Sequence, residues 1–573
     1  MSCHLLRLAK AGHALLLAVC LAVLARQTAA ADSFPRQLEK VRRVVFLGDS
    51  ITYAGGYVET VDAYFATRFP MWPIEFLNLG LPSETACGLS EDGHADGKFP
   101  RPDLHERLDR VLAKAKPDLI FACYGMNDGI YLPLSEERFK KFQDGIQRLH
   151  DKVIASGVKI IHLTPPVFDE VKGGHPGYGA VLDRYSEWLV AQRKAGWEVV
   201  DLHEPMKQML ADRRKNYPNF FLAGDGVHCG EEGHYLIAIK ILNFFETRIP
   251  YRAQDVTSLL ADTPHPEEVL KLVKQRQHLL RDAWLTEVGH QRPGLSKGLS
   301  LPEAQAKAAE IQKQIRELVP PFPGKKSQWE GFDRYDYSFN GQPAIIVAPK
   351  QALPGNPWAW RGEFFGAFAN ADAALVAKGF HLVYLGVPNQ FGGPNAIAAW
   401  DKFYAELTQR FGFAKKMALI GLSRGGLYCF NWAAANPEKV ACIYADAAVC
   451  DFKSWPGGKL KNLGKGDGSA EEWKNLLNAY YFEADADAIA YRWNPVDNLK
   501  PLADAHIPLL HVYGDADSVV PWDENTGVIA ERYRKLGGSI ELISKPGVGH
   551  HPHGLSDPTP IVDFILKHAA PKP

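Results

Sequence analysis

The sequence predicts an α/β chain folded as two domains with a helical segment between them. Short apolar runs alternate with amphipathic stretches between about residues 40 and 250. A charge-rich, helix-periodic stretch follows over 254–318, and the alternation resumes from about residue 328. Strand–helix alternation of this kind predicts a parallel sheet covered on both faces. The length, 573 residues, is also more than one hydrophobic core usually organises.

Taken in order, "RRVVFLGDS", "PIEFLNLG", "DLIFACYG", "VKIIHLTPP" and "WEVVDLHEP" read as strands. "YVETVDAYFATRF", "LHERLDRVLAKA" and "ERFKKFQDGIQRLHDKVIAS" read as the helices between them, and "EEGHYLIAIKILNFFETRI" as the closing helix. "HPEEVLKLVKQRQHLLRDAWLTEVGH" and "LPEAQAKAAEIQKQIREL" form the helical segment, and "VPPFPGKK" reads as a linker. Beyond it, "YDYSFNGQPAIIVAPK" predicts a hairpin turning at Asn340-Gly341. "HLVYLGVP", "KMALIGLS", "VACIYADAA" and "PLLHVYGDAD" follow as apolar strands. The expected boundaries are 1–31, 32–253, 254–327 and 328–573. The two halves share no sequence repeat.

Residues 1–31 read as a cleaved signal peptide. Arg7 and Lys10 precede the apolar run "AGHALLLAVCLAVLA", and small residues follow near Ala30 and Ala31. An uncleaved anchor or lipidation at Cys20 are the competing readings. The expectation is a secreted or periplasmic protein with no stable membrane insertion. The 65 Lys+Arg and 66 Asp+Glu nearly balance, which gives no electrostatic footprint for nucleic acid. Export permits disulfides, and Cys442–Cys450 is one conceivable pair; buried free thiols are the alternative.

Ligands of open α/β sheets bind beyond the carboxyl ends of the strands. Ser50, Gly80 and Asn127 follow three of the predicted strands, and "DGVH" supplies Asp225 and His228 before the closing helix. A serine hydroxyl needs a base to attack, the histidine needs a carboxylate to fix its tautomer, and the tetrahedral intermediate needs oxyanion donors. Ser50, His228 and Asp225 suit the first three roles. The backbone N–H groups of Ser50 and Gly80 and the Asn127 amide suit the last. The strings "GDS", "NLG", "GMND" and "DGVH", in this order, resemble the SGNH or GDSL-type hydrolases. That resemblance implies a three-layer α/β/α sandwich with esterase activity and no cofactor or metal. "LPSETACGLSE" departs from it by lacking a second glycine soon after Gly80.

The second half carries G-x-S-x-G at "GLSRGG", between the strand "KKMALI" and the helix "LYCFNWAAAN". Glycines there allow a tight strand-to-helix turn exposing Ser423, and the Arg424 backbone N–H is an oxyanion donor. Acid and base should follow in that order. Asp517 is the expected acid, with Asp515 and Asp523 as alternatives. "KPGVGHHPHG" offers His550, His551 and His553, of which His550 is the expected base. The H-H-x-H spacing also admits a metal reading, but no metal ligand is assigned.

This half resembles the α/β-hydrolase superfamily. A lid is expected in Lys459–Pro495, and the second oxyanion donor in Pro354–Gly366, near Trp358. Trp358, Trp360 and Arg361 are expected substrate-wall residues. His290 and Arg292, in "AWLTEVGHQRPG", are candidates to reach the first site, with packing of the helical segment as the alternative. Fused esterases of these two kinds resemble bacterial enzymes that remove acyl groups from polysaccharides. The expected partner is therefore an acylated polysaccharide or oligosaccharide. A feruloyl or glucuronoyl esterase, lipase or peptidase is the alternative for the second domain, and a non-catalytic carbohydrate-binding module for either one.

Overall fold

The computed structural model describes residues 34–571. The expected signal peptide lies outside the described residues. The chain divides into two compact units, with the boundary between Pro321 and Phe322.

The first unit holds five strands: β1 (Arg43–Gly48), β2 (Glu75–Asn78), β3 (Leu119–Cys123), β4 (Lys159–Leu163) and β5 (Glu198–Val200). They pair in parallel in the order β2-β1-β3-β4-β5. Every residue of β3, and all of β1 after Arg43, is buried. Unbroken apolar runs of that kind suit strands covered on both faces. The chain leaves β1 toward β2 on one side and returns as β3 on the other. The reversal opens a crevice between the loops after β1 and β3.

The helix Pro266–Val288 belongs to this unit. Its Arg276 and Gln277 hold Asp62 of the helix Gly56–Arg68, and Gln277 also donates to the Phe76 carbonyl. The closing helix spans Glu231–Phe244, shorter than the pattern predicts, and helices at Tyr178–Ala191 and His203–Asn216 join those expected.

The second unit is one nine-stranded sheet: β6 (Lys325–Trp329), β7 (Phe332–Phe339), β8 (Gln342–Ala348), β9 (Trp358–Arg361), β10 (His381–Leu385), β11 (Met417–Leu422), β12 (Val440–Asp446), β13 (Leu509–Gly514) and β14 (Ile540–Lys545). The order is β14-β13-β12-β11-β9-β10-β8-β7-β6. β9 to β14 run parallel, and β6, β7 and β8 add an antiparallel edge. The β7–β8 hairpin turns at Asn340 and Gly341, both with positive φ, as a two-residue type I′ turn requires. β6 begins at Lys325, inside the stretch expected to be linker.

Trp358, Trp360 and Arg361 correct a sequence expectation. They form β9, at the centre of the sheet, and are fully buried, so they do not wall a substrate site. Trp360 stacks on Trp400 at 4.0 Å, and the Trp358 indole N–H donates to the Ala414 carbonyl. Arg361 is tolerated there because Asp372 neutralises it at 2.7 Å and the carbonyls of Glu363, Phe364 and Ala367 take its other N–H groups. Cys442 and Cys450 are separate buried thiols rather than a pair.

Candidate active sites

In the first unit the chain turns sharply after β1. Asp49 caps the short helix Ser50–Ala54 by accepting the Ile51 N–H, which sets Ser50 at the helix start, over the crevice. The loop before the closing helix brings His228 to it. His228 Nε2 lies 2.8 Å from Ser50 Oγ, and Nδ1 lies 2.6 Å from Asp225 Oδ2. Asp225 Oδ1 also accepts the backbone N–H groups of Val227 and His228. Desolvation is the largest single influence and raises its pKa, but the hydrogen bonds from His228 and the backbone and the imidazole together hold its carboxyl at about 2. The site is open: the side chains of His228 and Asp225 are 51% and 57% exposed.

Asn127 follows β3 and is buried. Its amide donates to the Glu84 carbonyl at 3.2 Å, and its oxygen accepts from Tyr131. Gly80 departs from expectation: its backbone N–H donates to Asn78 Oδ1 at 2.9 Å, so here it is not aimed at the site. Gly80 still cannot be another residue, since an added Cβ would fall 2.3 Å from the Tyr53 backbone nitrogen. The Ser50 N–H, unpaired as a first-turn amide, and the second Asn127 amide hydrogen are the donors left for an oxyanion.

Beneath them lies a buried support that sequence reading misses. Arg107 donates to both oxygens of Glu84, at 2.6 and 2.7 Å, and to the Leu79 carbonyl; Tyr124 donates to Glu84 as well. Asp128 accepts from the backbones of Ala86, Cys87 and Gly125, tying the β2 and β3 loops together. Glu84 belongs to no short motif, and Asp128, although it ends the string "GMND", is marked there only as the neighbour of Asn127. Asp49 is a further buried carboxylate beside the site; burial, with Asp128 adding to it, pushes its pKa up to about 7.

His290 and Arg292, the candidates to reach the first site, make no hydrogen bond to Ser50, His228 or Asp225. Arg292 lies over the Phe99 ring, and His290 is half-buried nearby. The helical segment reaches the site helix by another residue, Arg281, which stacks on Tyr53 at 4.0 Å and donates to its carbonyl.

In the second unit Ser423 follows β11 with φ +48°, the strained turn that lifts a side chain off the sheet. His550, beyond β14, places Nε2 3.0 Å from Ser423 Oγ and Nδ1 2.8 Å from Asp517 Oδ2. Asp517 follows β13 and also accepts from the backbones of Val519 and Val520. Asp515 instead accepts the Gly547 N–H, and Asp523 pairs with Lys465. This set is enclosed: the side chains of His550 and Asp517 are 9% and 1% exposed.

The Arg424 backbone N–H adjoins the elbow as expected. Its side chain runs between Glu363, at 2.5 Å, and Glu472, at 3.0 Å. Glu472 belongs to the helix Ala470–Tyr480 of the expected lid, so this ion pair pins the insertion to the elbow. The residue after β9 that approaches the elbow is Glu363, five positions from Trp358; its backbone nitrogen lies 3.4 Å from where a Gly425 Cβ would stand. The elbow and this loop flank the point where the sheet order reverses, between β11 and β9.

Residues 46–236 match the model of the GDSL-like Lipase/Acylhydrolase family, and residues 394–570 that of the Prolyl oligopeptidase family. Each half carries a serine hydrolase domain. The GDSL-type domain contains Ser50, Asn127, Asp225 and His228; the prolyl oligopeptidase-type domain contains Ser423, Asp517 and His550. No curated protein matches the sequence.

Among solved structures, the chain is similar to a gut microbial diltiazem-metabolizing enzyme (23% identity, 36% of this chain and 47% of that one, TM-score 0.31). It is also similar to a catalytic mutant of an acetylxylan esterase from Geobacillus stearothermophilus (19%, 36% and 95%, TM-score 0.29). A third is a puromycin-hydrolyzing peptidase of Mycobacterium tuberculosis (13%, 41% and 38%, TM-score 0.32). The chain thus spans about half the length of the first of these.

Proposed function

We propose that this chain is an exported esterase with two serine sites, and that it removes O-acetyl or related acyl groups from a polysaccharide. The observation that carries the reading is the unbroken hydrogen-bond chain Ser–His–Asp, present once in each unit on unrelated loops. In each, the histidine Nε2 takes the serine proton as Oγ attacks the acyl carbon. The carboxylate on Nδ1 holds the tautomer and stabilises the imidazolium. The oxyanion is met by the Ser50 N–H and Asn127 amide in the first site, and by the Arg424 and Glu363 N–H groups in the second. The same histidine then protonates the departing sugar hydroxyl, and a water molecule releases the acyl group by the reverse path.

The exposure of His228 and Asp225 suits an ester carried on a long chain, which an enclosed site would exclude. A cleft of about 420 Å³ in the second unit, lined by none of Ser423, Asp517 and His550, offers a separate surface for a carbohydrate. Its wall includes Trp493, which is 62% exposed, with Tyr491, Asn431 and Asp401 beside it. A flat aromatic face with a few polar anchors is the surface a sugar ring needs.

The second site admits a peptidase reading, which its prolyl oligopeptidase-type domain favours. The test compares Ser50→Ala, Ser423→Ala and the double variant on p-nitrophenyl acetate, acetylated xylan or pectin, and a peptide p-nitroanilide. Acetate release from polysaccharide that depends on Ser50 is expected. A double variant with full activity would overturn both assignments. Anilide cleavage lost only in Ser423→Ala would assign the second site to peptides.

A further inference from the structure

The histidine loop after β14 contains more than the Ser423 chemistry uses. His550, His551 and His553 each offer a ring nitrogen, and the three nitrogens lie within 4.8 Å of one another. The rings stand nearly perpendicular in pairs, with centroids 4.9 to 5.0 Å apart and interplanar angles of 67° to 88°. Two of them are already oriented as metal-ligating histidines usually are, with one nitrogen on a carboxylate. His550 Nδ1 meets Asp517, and His553 Nδ1 meets the buried Asp446 at 2.8 Å. That leaves their Nε2 atoms to ligate, in the case of His550 by taking the place of its hydrogen bond to Ser423 Oγ. His551 is exposed, its ring stacked on Phe368, and can turn toward the other two.

We propose that these three histidines bind a divalent transition cation such as Zn²⁺, and that the cation switches off the Ser423 site. Three imidazoles and a water make a common tetrahedral zinc set, with Zn–N bonds of about 2.0–2.1 Å. Ligand nitrogens on such an ion sit about 3.4 Å apart. A separation of up to 4.8 Å closes to that value by rotation of side chains, chiefly the exposed one. Imidazole also favours Zn²⁺, Cu²⁺ and Ni²⁺ over Mg²⁺ and Ca²⁺.

The consequence for activity follows from one atom. His550 Nε2 has a single lone pair, and that lone pair accepts the Ser423 proton. When it is donated to a cation, Ser423 has no base. Removing the cation restores the base without any change in the fold. The cluster is the one three-residue set of His, Cys, Asp or Glu with this geometry among the described residues, so the Ser50 site lacks such a brake. The inhibition half of the proposal rests on Ser423 being a nucleophile; the binding half does not.

The experiment uses the full chain carrying Ser50→Ala, so that hydrolysis of p-nitrophenyl acetate reports Ser423 alone. Zn²⁺ is titrated by calorimetry and against turnover, with and without His551→Ala. The expected result is one Zn²⁺ per chain and turnover lost on binding and restored by EDTA. His551→Ala should keep basal turnover and lose at least tenfold in Zn²⁺ affinity and sensitivity. Equal isotherms for the two proteins would overturn the proposal. Should the Ser50→Ala chain show no turnover at all, the reading of Ser423 fails, and the isotherms still decide the cation site.

Discussion

The two acids should differ in what they contribute, and the difference can be worked from their exposure. Both touch their histidine at hydrogen-bond distance, 2.6 Å for Asp225 and 2.8 Å for Asp517. The carboxylate stabilises the imidazolium formed as serine attacks. Two unit charges about 4 Å apart attract by roughly 1 kcal/mol in water and roughly 4 kcal/mol at the effective dielectric of a protein site. Asp225, 57% exposed, lies near the first limit, and Asp517, 1% exposed, near the second. At about 1.4 kcal/mol per factor of ten, Asp225→Asn should cost the first site about five- to tenfold in kcat. Asp517→Asn should cost the second site about a thousandfold, and more if the amide also imposes the wrong tautomer. Each variant is measured with the opposite serine changed to alanine, by p-nitrophenyl acetate turnover at pH 8. Equal losses at the two sites would refute the dielectric argument, and so would a loss below tenfold for Asp517→Asn.

Other outcomes follow from the buried groups. Arg107→Leu should destabilise the first unit by about 3–5 kcal/mol, because it strands the Glu84 carboxylate without its partner; urea unfolding measures it. Asp49, with a folded pKa of about 7 against an ordinary 3.8, keeps its proton where the unfolded chain has lost it. Its contribution to stability is full below about pH 4, falls as pH rises to about 7 and is flat above. The loss is about 4 kcal/mol at most, and Asp49→Asn, which keeps an oxygen for the Ile51 N–H, should abolish that slope in melts between pH 5 and 8. Ser423→Gly should end activity at the second site yet raise stability by about 1 kcal/mol, since glycine relieves the +48° φ; equal or lower stability would show that the elbow is unstrained.

The parts of the molecule that were legible in the sequence are those where a local pattern has one structural solution. Four strands of the first sheet end at or just before the polar residue where the apolar run breaks, and β3 ends at Cys123, two residues before Gly125. The Asn340-Gly341 pair turns a hairpin because positive φ is needed twice in succession. "DGVH" and "GLSRGG" hold their own geometry within a few residues, which marks an acid with its base and a nucleophile, while the strand order brings each serine to its histidine across 178 and 127 residues. What was hidden depends on residues far apart in the chain that no local motif marks. β9 reads as loop because it is four residues long and ends in an arginine, whose burial makes sense only beside Asp372. The Gly80 N–H looked free because its partner, the side chain of Asn78, reads as an ordinary strand-end residue. Glu84 and Arg107 are 23 residues apart and meet only after the sheet has formed.

Asp446, at the end of β12, has a consequence of another kind. Its carbonyl accepts the Ser423 N–H, while its carboxylate accepts from His553 and from the Gly554 backbone, 107 and 108 residues away. One residue therefore clamps the turn that carries the nucleophile to the loop that carries its base. Alignment of the two is then all-or-none. As the protein is warmed, the Ser423 site should lose its active molecules one by one, each survivor working at the full rate, rather than fade as a whole population of slower ones.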